Sequence, residues 1–455
     1  MKRVAALAAS LMLAAGCGGP KPEVTADTIF AGDVLTINDA QPSVEAIAVK
    51  DGNILAIGTR RDIESASKGA NTKVVDLAGK TLLPGFLDPH SHYINSLSVA
   101  NQVNVFAPPA GPGKDVGAIV AELRKFRDAR NIPAGELIIA YGYDESSMPD
   151  GHMLNRDDLD RDFPDHPVLV GHVSLHGAVL NTAALRKFGF SADRNRVKLG
   201  GVKITLDGSP QGRTAFFTTP YLVDGPDGQK GWKGELPFPQ EQVDAWFRQV
   251  YGNNLQLFVH ANGDAAIDVL LRAHATAAAG GLDKDRRTTV IHSQFVRPDQ
   301  LDSYVKYKLI PSLFTEHTFY FGDTHVKQRG KTQAYFLSPM RTAIDKGLRP
   351  TNHTDFNVSP LDQMFVVWSA VNRVSRGGEV ICPDQRVTPM EALKAITINA
   401  AYQYFEEKSK GSLEPGKLAD LVILDGNPLK VDPMKIKDIK VIETIKEGKT
   451  IYRAD

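Results

Sequence analysis

The sequence predicts an α/β fold: a TIM (β/α)8 barrel with a small β-sandwich domain built from both chain ends. Three observations favour this fold class. First, the chain has 455 residues, of which 42% are hydrophobic, and this exceeds one minimal domain and suffices for a large core. Second, apolar strand-like runs alternate with helical segments through the middle of the chain, as they do in a parallel barrel. Third, both ends of the chain are rich in short strands, which indicates a β domain to which both ends contribute.

The short strands at the two ends define the predicted β-sandwich, which takes residues 27–82 and 406–455. Near the N-terminal end, the runs 46–50 and 53–57 flank Asp51-Gly52, a strong signal for a type I′ hairpin. The C-terminal strand candidates are 419–424, 441–446 and 450–453, with Glu447-Gly448 before the last of them.

The predicted barrel occupies residues 83–405. Its strand candidates are 83–88, 137–141, 168–172, 202–206, 257–260, 289–292, 310–313 and 349–354. Its helix candidates include 116–129, 241–252, 265–279 and 298–308. A further helix is predicted over 389–399, because Thr388 suits the N-cap, Pro389 the first helical position and Glu391 a capping box.

The first 16 residues are predicted to be a signal peptide of the lipoprotein type and not part of the fold. A basic start precedes an apolar run from Val4 to Ala15 that is too short to span a bilayer. The run leads to Cys17 in a sequence that resembles a bacterial lipobox, with Cys17 as the lipidated N-terminus. Residues 17–26 form a tether. We expect a periplasmic protein that is lipid-anchored to a membrane, preferably the outer one; the alternative is a plain cleaved signal and a secreted protein.

Charge and cysteine content narrow the choice of partners. Basic and acidic residues both number 53, so nothing indicates a nucleic-acid partner or an electrostatically bound membrane. Cys382 is the only cysteine besides Cys17, so we expect no disulfide within the mature chain. The expected partner is a small-molecule substrate, and a homo-oligomer is left open.

Two histidines at the end of an apolar run are the first indication of a metal site. The stretch 83–92 contains His90 and His92, and residues two apart on an extended strand point to the same face. Both imidazoles can therefore bind one ion, zinc or a similar divalent metal. Since the chain has 12 histidines, such a pair also arises by chance, and the preceding Pro-Gly-Phe-Leu-Asp argues against chance.

Further polar residues follow strand candidates at the positions where a barrel builds its active site. His260 and His292 end two consecutive strand candidates, and Asp355 follows the last one. A carboxylate there can touch the metal and accept a proton from bound water, whose pKa a metal lowers from about 15.7 to near 7. His353 is expected beside these ligands. The alternatives are that the histidines are satisfied core residues and that Asp355 is an N-cap.

Lys203 lies on the strand candidate 202–206, where a lysine inside a barrel is costly. Burial favours the neutral amine by lowering its pKa, and carboxylation of a lysine requires the neutral amine. Two roles stay open: a carboxylated Lys203 that bridges two metals, and an unmodified lysine that faces substrate or solvent.

These residues together resemble the amidohydrolase superfamily and, more narrowly, its family 3, the YtcJ-like or N-substituted formamide deformylase-like branch. The resemblance runs over residues 27–452. Its more specific strings are 84–92, 175–185, 207–215, 260–264 and 411–421.

The resemblance implies metal-dependent hydrolysis, most often of a carbon–nitrogen bond other than a peptide bond. The residues that match metal positions are His90, His92, Lys203, His260, His292 and Asp355. It also implies catalytic roles for Asp355 and His292. The expected cofactor is Zn²⁺, as one or two ions, with manganese or iron as alternatives. The candidate substrate contacts are His176, His353 and Arg213, whose guanidinium could bind a substrate carboxylate through two hydrogen bonds.

The sequence therefore predicts a zinc-dependent amidohydrolase that acts on a small molecule through metal-activated hydroxide. Two alternatives stay open. One is a lactonase or other esterase on the same barrel, because the same hydroxide attacks esters. The other is a non-catalytic binding lipoprotein, which metal analysis of the purified protein would distinguish from the enzymes.

Overall fold

The computed structural model describes residues 24–92, 99, 101–144, 148, 154–173, 178–185 and 201–454. The predicted signal peptide, Cys17 and His176 lie outside these residues. Within the described ranges, no helix is long and apolar enough to cross a membrane.

The strands of the described residues are numbered in chain order. They are β1 Thr28–Leu35, β2 Ser43–Lys50, β3 Asn53–Gly58, β4 Lys73–Pro84, β5 Val103–Asn104, β6 Ile138–Tyr143, β7 Val168–His172, β8 Ala178–Leu180, β9 Val202–Thr205, β10 Leu257–Ala261, β11 Thr289–His292, β12 Ile310–Leu313, β13 Thr351–Asn352, β14 Leu421–Leu424, β15 Val441–Lys446 and β16 Lys449–Arg453.

The helices of the same residues are numbered likewise. They are α1 Arg60–Ser67, α2 Val116–Ala129, α3 Arg156–Asp162, α4 Thr182–Leu185, α5 Gln240–Gly252, α6 Asp264–Ala277, α7 Pro298–Tyr307, α8 His317–Tyr320, α9 Gly322–Ala334 with a break at Gly330, α10 Met340–Asp345, α11 Gln363–Asn372, α12 Pro389–Ala395 and α13 Ile398–Gln403. Short 3₁₀ helices lie at Pro383–Gln385 and Pro433–Asp438.

A seven-stranded sheet combines strands from both chain ends, in the order β16-β15-β14-β4-β1-β2-β3. The hairpin of β2 and β3 has the predicted turn, with positive φ at Asp51 (48°) and Gly52 (78°). The hairpin of β15 and β16 likewise has positive φ at Glu447 (46°) and Gly448 (73°). Apolar side chains from both ends share one core. Strands from both chain ends therefore share one sheet, and the described residues do not add the second sheet of a sandwich.

A five-stranded parallel sheet, in the order β13-β12-β11-β10-β9, forms the part of the fold that carries most of the predicted ligands. Neighbouring strands are in register, so that His260 pairs with Ile291 and Ala261 pairs with His292. Because the strands are parallel, their carboxyl ends meet at one edge of the sheet. A four-stranded sheet, β5-β6-β7-β8, is parallel except for β8. The α/β fold is confirmed, whereas the strands of the described residues do not close a barrel.

Helices α5 and α6 cover one face of the parallel sheet and thereby decide which way the histidines point. Leu257 and Val259 of β10 are buried in a core with Val243 and Phe247 of α5. Since side chains alternate along a strand, His260 leaves β10 on the opposite face. The apolar face is held against the helices, and the imidazole is directed away from them.

Four strands and one helix match their predictions to the residue: β7, β11, β12, β15 and α2. The predicted strand 83–88 is wrong, because Leu83 and Pro84 end β4 and pair with Val422 and Leu421 of β14. Pairing with β14 holds these residues in the seven-stranded sheet. Residues 85–88 have no strand structure.

The predicted helix 389–399 is two helices, α12 and α13, because Thr397 adopts φ −134° and ψ −96° between them. Its start is confirmed: the Thr388 side chain accepts a hydrogen bond from Glu391 N, and the capping box is complete. β5 was not predicted.

Candidate metal centre

His90 and His92 lie on an irregular segment beyond β4, not on a strand as predicted. This segment runs beside the residues that follow β13. Asp355 N donates to His90 O (3.1 Å), and His92 N donates to Phe356 O (2.7 Å). The two backbone bonds hold this segment beside residues 355–356, where both imidazoles reach Asp355.

The first group of ligand atoms consists of His90, His92 and Asp355. Asp355 Oδ1 lies 3.0 Å from His90 Nε2 and 3.1 Å from His92 Nε2. Burial alone would raise the pKa of the Asp355 carboxyl, but hydrogen bonds with His90 and His92 hold it well below its usual value. Ligands of a tetrahedral zinc at about 2.0–2.1 Å stand roughly 3.3 Å apart. The two distances to Asp355 are close to this spacing, and all three donor atoms lie within 4.8 Å of one another, so the group could hold a divalent ion.

His260 and His292 form a second group next to the first. His292 Nε2 lies 3.1 Å from His260 Nδ1 and 3.9 Å from Asp355 Oδ2. Both residues are buried. Two nitrogens at this separation also fit a shared ion. Asp355 contacts the first pair of imidazoles through Oδ1, and its Oδ2 faces His292 of the second pair.

The backbone at this edge is held in conformations that are uncommon for residues with a side chain. His292 has φ 72°, and Asp355 has φ 51°. Such left-handed residues cost energy and are retained where surrounding contacts hold them, which frequently occurs at functional sites.

Lys203 extends from β9 toward the first group. Its Nζ lies 3.1 Å from His90 Nε2. Although much of the residue is exposed, its amino end is desolvated, and this lowers the pKa of the amine. The neutral form that carboxylation requires is therefore easier to reach here than in a fully solvated lysine.

His353 is buried behind His292. Its Nε2 lies 3.1 Å from His292 Nδ1, and its Nδ1 lies 3.0 Å from Ser312 Oγ. The structure thus places His353 against a predicted ligand, and its contact with a substrate stays a prediction.

Arg213 is engaged with its own loop. Its Nη1 donates to the carbonyl oxygens of Asp224 (2.9 Å) and Gly225 (3.3 Å). These bonds tie the loop after β9 to residues 224–225, and substrate binding by Arg213 stays a prediction, as does that by His176.

The comparisons with known proteins identify the family of the chain. The sequence model of the "Amidohydrolase family" matches residues 73–195 and 191–452. The chain belongs to the amidohydrolase family. This confirms the resemblance found in the sequence. N-substituted formamide deformylase of Arthrobacter pascens is 22% identical, over 93% of this chain and 98% of the relative. Amidohydrolase YtcJ of Bacillus subtilis strain 168 is also 22% identical, over 92% and 98%.

Two solved structures share the fold of this amidohydrolase. A metal-dependent hydrolase from Pyrococcus horikoshii OT3 has a TM-score of 0.69 and 20% identity, over 89% of this chain and 99% of that chain. A metal-dependent hydrolase from Pyrococcus furiosus has a TM-score of 0.65 and 22% identity, over 89% and 100%. The chain is therefore similar in fold to metal-dependent hydrolases along nearly their whole length.

Asp207 is a residue of this amidohydrolase that the sequence reasoning did not assign to the site. Its buried carboxylate accepts backbone hydrogen bonds from Asn262 (2.9 Å), Gly263 (2.8 Å) and Phe216 (3.0 Å). Its Oδ1 also lies 3.5 Å from His260 Nε2. Burial raises the pKa of Asp207 to about 7, against the lowering by the three N–H donors. Asp207 directly follows the predicted strand 202–206, so the strand-end rule could have found it.

Asp88 is a second residue that sequence reasoning missed. Its carboxylate accepts bonds from His90 N and Thr354 N, both at 3.3 Å, and from the Thr354 hydroxyl. Burial raises the pKa of Asp88 to about 6. It joins the segment of His90 to the residue before Asp355 and so supports both parts of the first ligand group.

Proposed function

We propose that the protein is a metal-dependent amidohydrolase that cleaves a carbon–nitrogen bond, other than a peptide bond, in a small molecule. The observation that carries the proposal is the convergence of His90, His92 and His292 on Asp355, with His260 directly beside His292. The name of the Arthrobacter relative, N-substituted formamide deformylase, supports an amide as the substrate class.

The donor set fits one or two divalent ions, with zinc preferred because imidazole nitrogens and a carboxylate suit it. His90, His92 and Asp355 would hold one ion, and His260 and His292 would hold a second or complete the first. Lys203 stands at His90 and, once carboxylated, would supply a bridging ligand. Bound there, a divalent ion supplies Lewis acidity and makes water more acidic.

Asp355 is the proposed proton carrier. Its lowered pKa keeps the carboxylate ionised near neutral pH and makes it a weak base, so proton transfer to it requires the increased acidity of water that a divalent ion supplies. Water adds to the carbonyl carbon, its proton passes to Asp355 and then to the leaving nitrogen, and the carbon–nitrogen bond breaks. The products are a carboxylic acid and an amine. His292, beside Asp355 Oδ2, would ligate metal or orient the substrate.

We also propose the TIM barrel as the fold of residues 83–405 and the periplasm as the location. The sequential parallel order from β9 to β13 supports a barrel, and so does the pairing of the His90 segment with Asp355. The resemblance of the start of the chain to a lipoprotein signal supports a lipid anchor at Cys17.

Replacing Asp355 with Asn tests the mechanism. Turnover of an N-substituted formamide should fall by at least about 10²–10⁴-fold, because the proton carrier is lost, while most of the bound metal stays. Metal content is measured by elemental analysis and hydrolysis by amine release. Asp362→Asn is the matched control, because Asp362 accepts from Phe365 N at a helix start and Asn also caps helices.

Full activity of Asp355→Asn would remove the mechanism. A wild-type protein with no stoichiometric divalent metal would instead favour the binding lipoprotein. Faster hydrolysis of lactones than of any amide tested would favour the esterase.

A further inference from the structure

A row of hydrogen-bonded side chains runs from strand β12 into the candidate metal centre. It begins at Ser312 Oγ, passes through both ring nitrogens of His353, and reaches His292 Nδ1. The other nitrogen of His292, Nε2, faces His260 Nδ1 at 3.1 Å. We propose that His353 is a positioning residue for metal binding, which fixes the tautomer and ring orientation of His292, and that Ser312 fixes His353 in turn.

This inference rests on the proposed metal site and concerns the residues behind it. A neutral imidazole carries one N–H and one accepting nitrogen, and a metal binds only the nitrogen without hydrogen. For His292 Nε2 to bind metal, Nδ1 must carry the hydrogen and needs an acceptor. His353 Nε2 is that acceptor, at 3.1 Å.

The same requirement passes to the next residue in the row. When His353 Nε2 accepts, His353 Nδ1 carries the hydrogen and must donate it. Ser312 Oγ lies 3.0 Å from that nitrogen and can accept, since a hydroxyl has lone pairs. One direction of donation, from His292 to His353 to Ser312, therefore leaves His292 Nε2 bare toward the site. The reverse direction places a hydrogen on Nε2 and excludes the metal from it.

Packing holds the row in place. His353 and Ser312 are both 0% exposed, so water does not compete for their hydrogen bonds. The rings of Phe314 and His90 lie 5.0 and 5.2 Å, centroid to centroid, from the ring of His353. A buried imidazole with neighbours on two sides keeps one orientation.

The two strand-end ligands thus have different supports. Behind His260 stands the carboxylate of Asp207, with Oδ1 3.5 Å from Nε2. Behind His292 lies the neutral imidazole of His353, which is hydrogen-bonded to the Ser312 hydroxyl. Partners behind a ligating histidine typically contribute 10- to 100-fold to metal affinity, and we expect a loss of about that size when His353 loses its acceptor.

The test compares His353→Leu, which has no acceptor, with His353→Gln, whose side-chain oxygen can accept from His292 Nδ1. Zinc affinity is measured by competition with a coloured chelator, and the visible spectrum of the Co²⁺-loaded protein reports ligand geometry. His353→Leu should bind zinc about 10- to 100-fold more weakly and change the Co²⁺ spectrum, and His353→Gln should restore most of both. Urea unfolding of the metal-free proteins checks the fold.

Ser312→Ala is a milder variant that keeps the inference testable if His353→Leu does not fold. Losing one hydrogen-bond acceptor should lower zinc affinity by roughly 2- to 10-fold. Wild-type zinc affinity in Ser312→Ala, or in a folded His353→Leu, would overturn the inference and leave the proposed function intact. Failure of His353→Gln to restore binding would also overturn it. A wild-type protein that binds neither ion would end both proposals.

Discussion

His274, on helix α6, makes the stability of this fold dependent on pH between about 4 and 6.5. The side chain is 0% exposed, and its Nδ1 lies 2.8 Å from the Tyr251 hydroxyl. Burial, assisted by the charge of Arg286, lowers the pKa of His274 from 6.5 to about 4. The imidazole is therefore neutral in the folded protein at pH 5, whereas in the unfolded chain it is mostly protonated.

The size of the effect follows from the two pKa values. Below pH 6.5 the unfolded chain binds a proton that the folded protein does not, so acid favours unfolding. With pKa values of 6.5 and about 4, the loss of unfolding free energy at His274 is about 2 kcal/mol at pH 5.0 and less than about 0.1 kcal/mol at pH 7.5. The full loss is reached below pH 4.

The assay is urea unfolding of metal-free wild-type protein and of His274→Gln at pH 7.5 and 5.0. Wild type should lose about 2 kcal/mol more than His274→Gln over this range, because Gln does not titrate. Tyr251→Phe is the matched control, since it removes the hydroxyl at His274 Nδ1 and keeps the imidazole, and it should retain the wild-type pH dependence. Equal losses in wild type and His274→Gln would refute the reasoning.

Two other substitutions test the supports of the site. Asp207→Asn should lower the free energy of unfolding by about 3 kcal/mol or more and weaken zinc binding, because an amide nitrogen would face buried N–H donors. Urea unfolding measures the first effect and zinc titration the second. Wild-type values in both assays would contradict the prediction. Gly263→Ala should destabilise by more than about 2 kcal/mol, because its Cβ would lie 1.9 Å from Phe216 O. The control is Gly252→Ala in helix α5, where an added Cβ has no neighbour within 4 Å and should stabilise the fold by about 0.5–1 kcal/mol in the same urea assay. Equal changes in the free energy of unfolding for the two variants would contradict the steric explanation.

Local sequence predicted the elements whose boundaries are set by neighbouring residues. β7 and β11 match to the residue because apolar runs end there at turn residues. β5 has two residues, Val103 and Asn104, and so short a strand carries no periodic pattern. Strand 83–88 was wrong because the pairing of Leu83 with Val422, far along the chain, decides where β4 ends.

The candidate site divides in the same way. Histidines at strand ends could be predicted, because the parallel order alone brings such positions to one edge. The position of His90 and His92 beside Asp355 depends on backbone bonds between distant segments. The contacts of Asp207 with three backbone N–H groups could not be read from its neighbours in sequence, because two of those groups follow β10.

The contact between His92 and Asp355 joins residues that are 263 positions apart in sequence. An ion held by both would act as a cross-link that closes a very long loop, and the entropy of that loop would be removed from the unfolded chain. We expect no disulfide within the mature chain, so the metal ion would be a cross-link that also stabilises the fold. Removal of the ion by a chelator would then weaken the association of the His92 segment with the Asp355 segment and would also abolish the metal-dependent reaction.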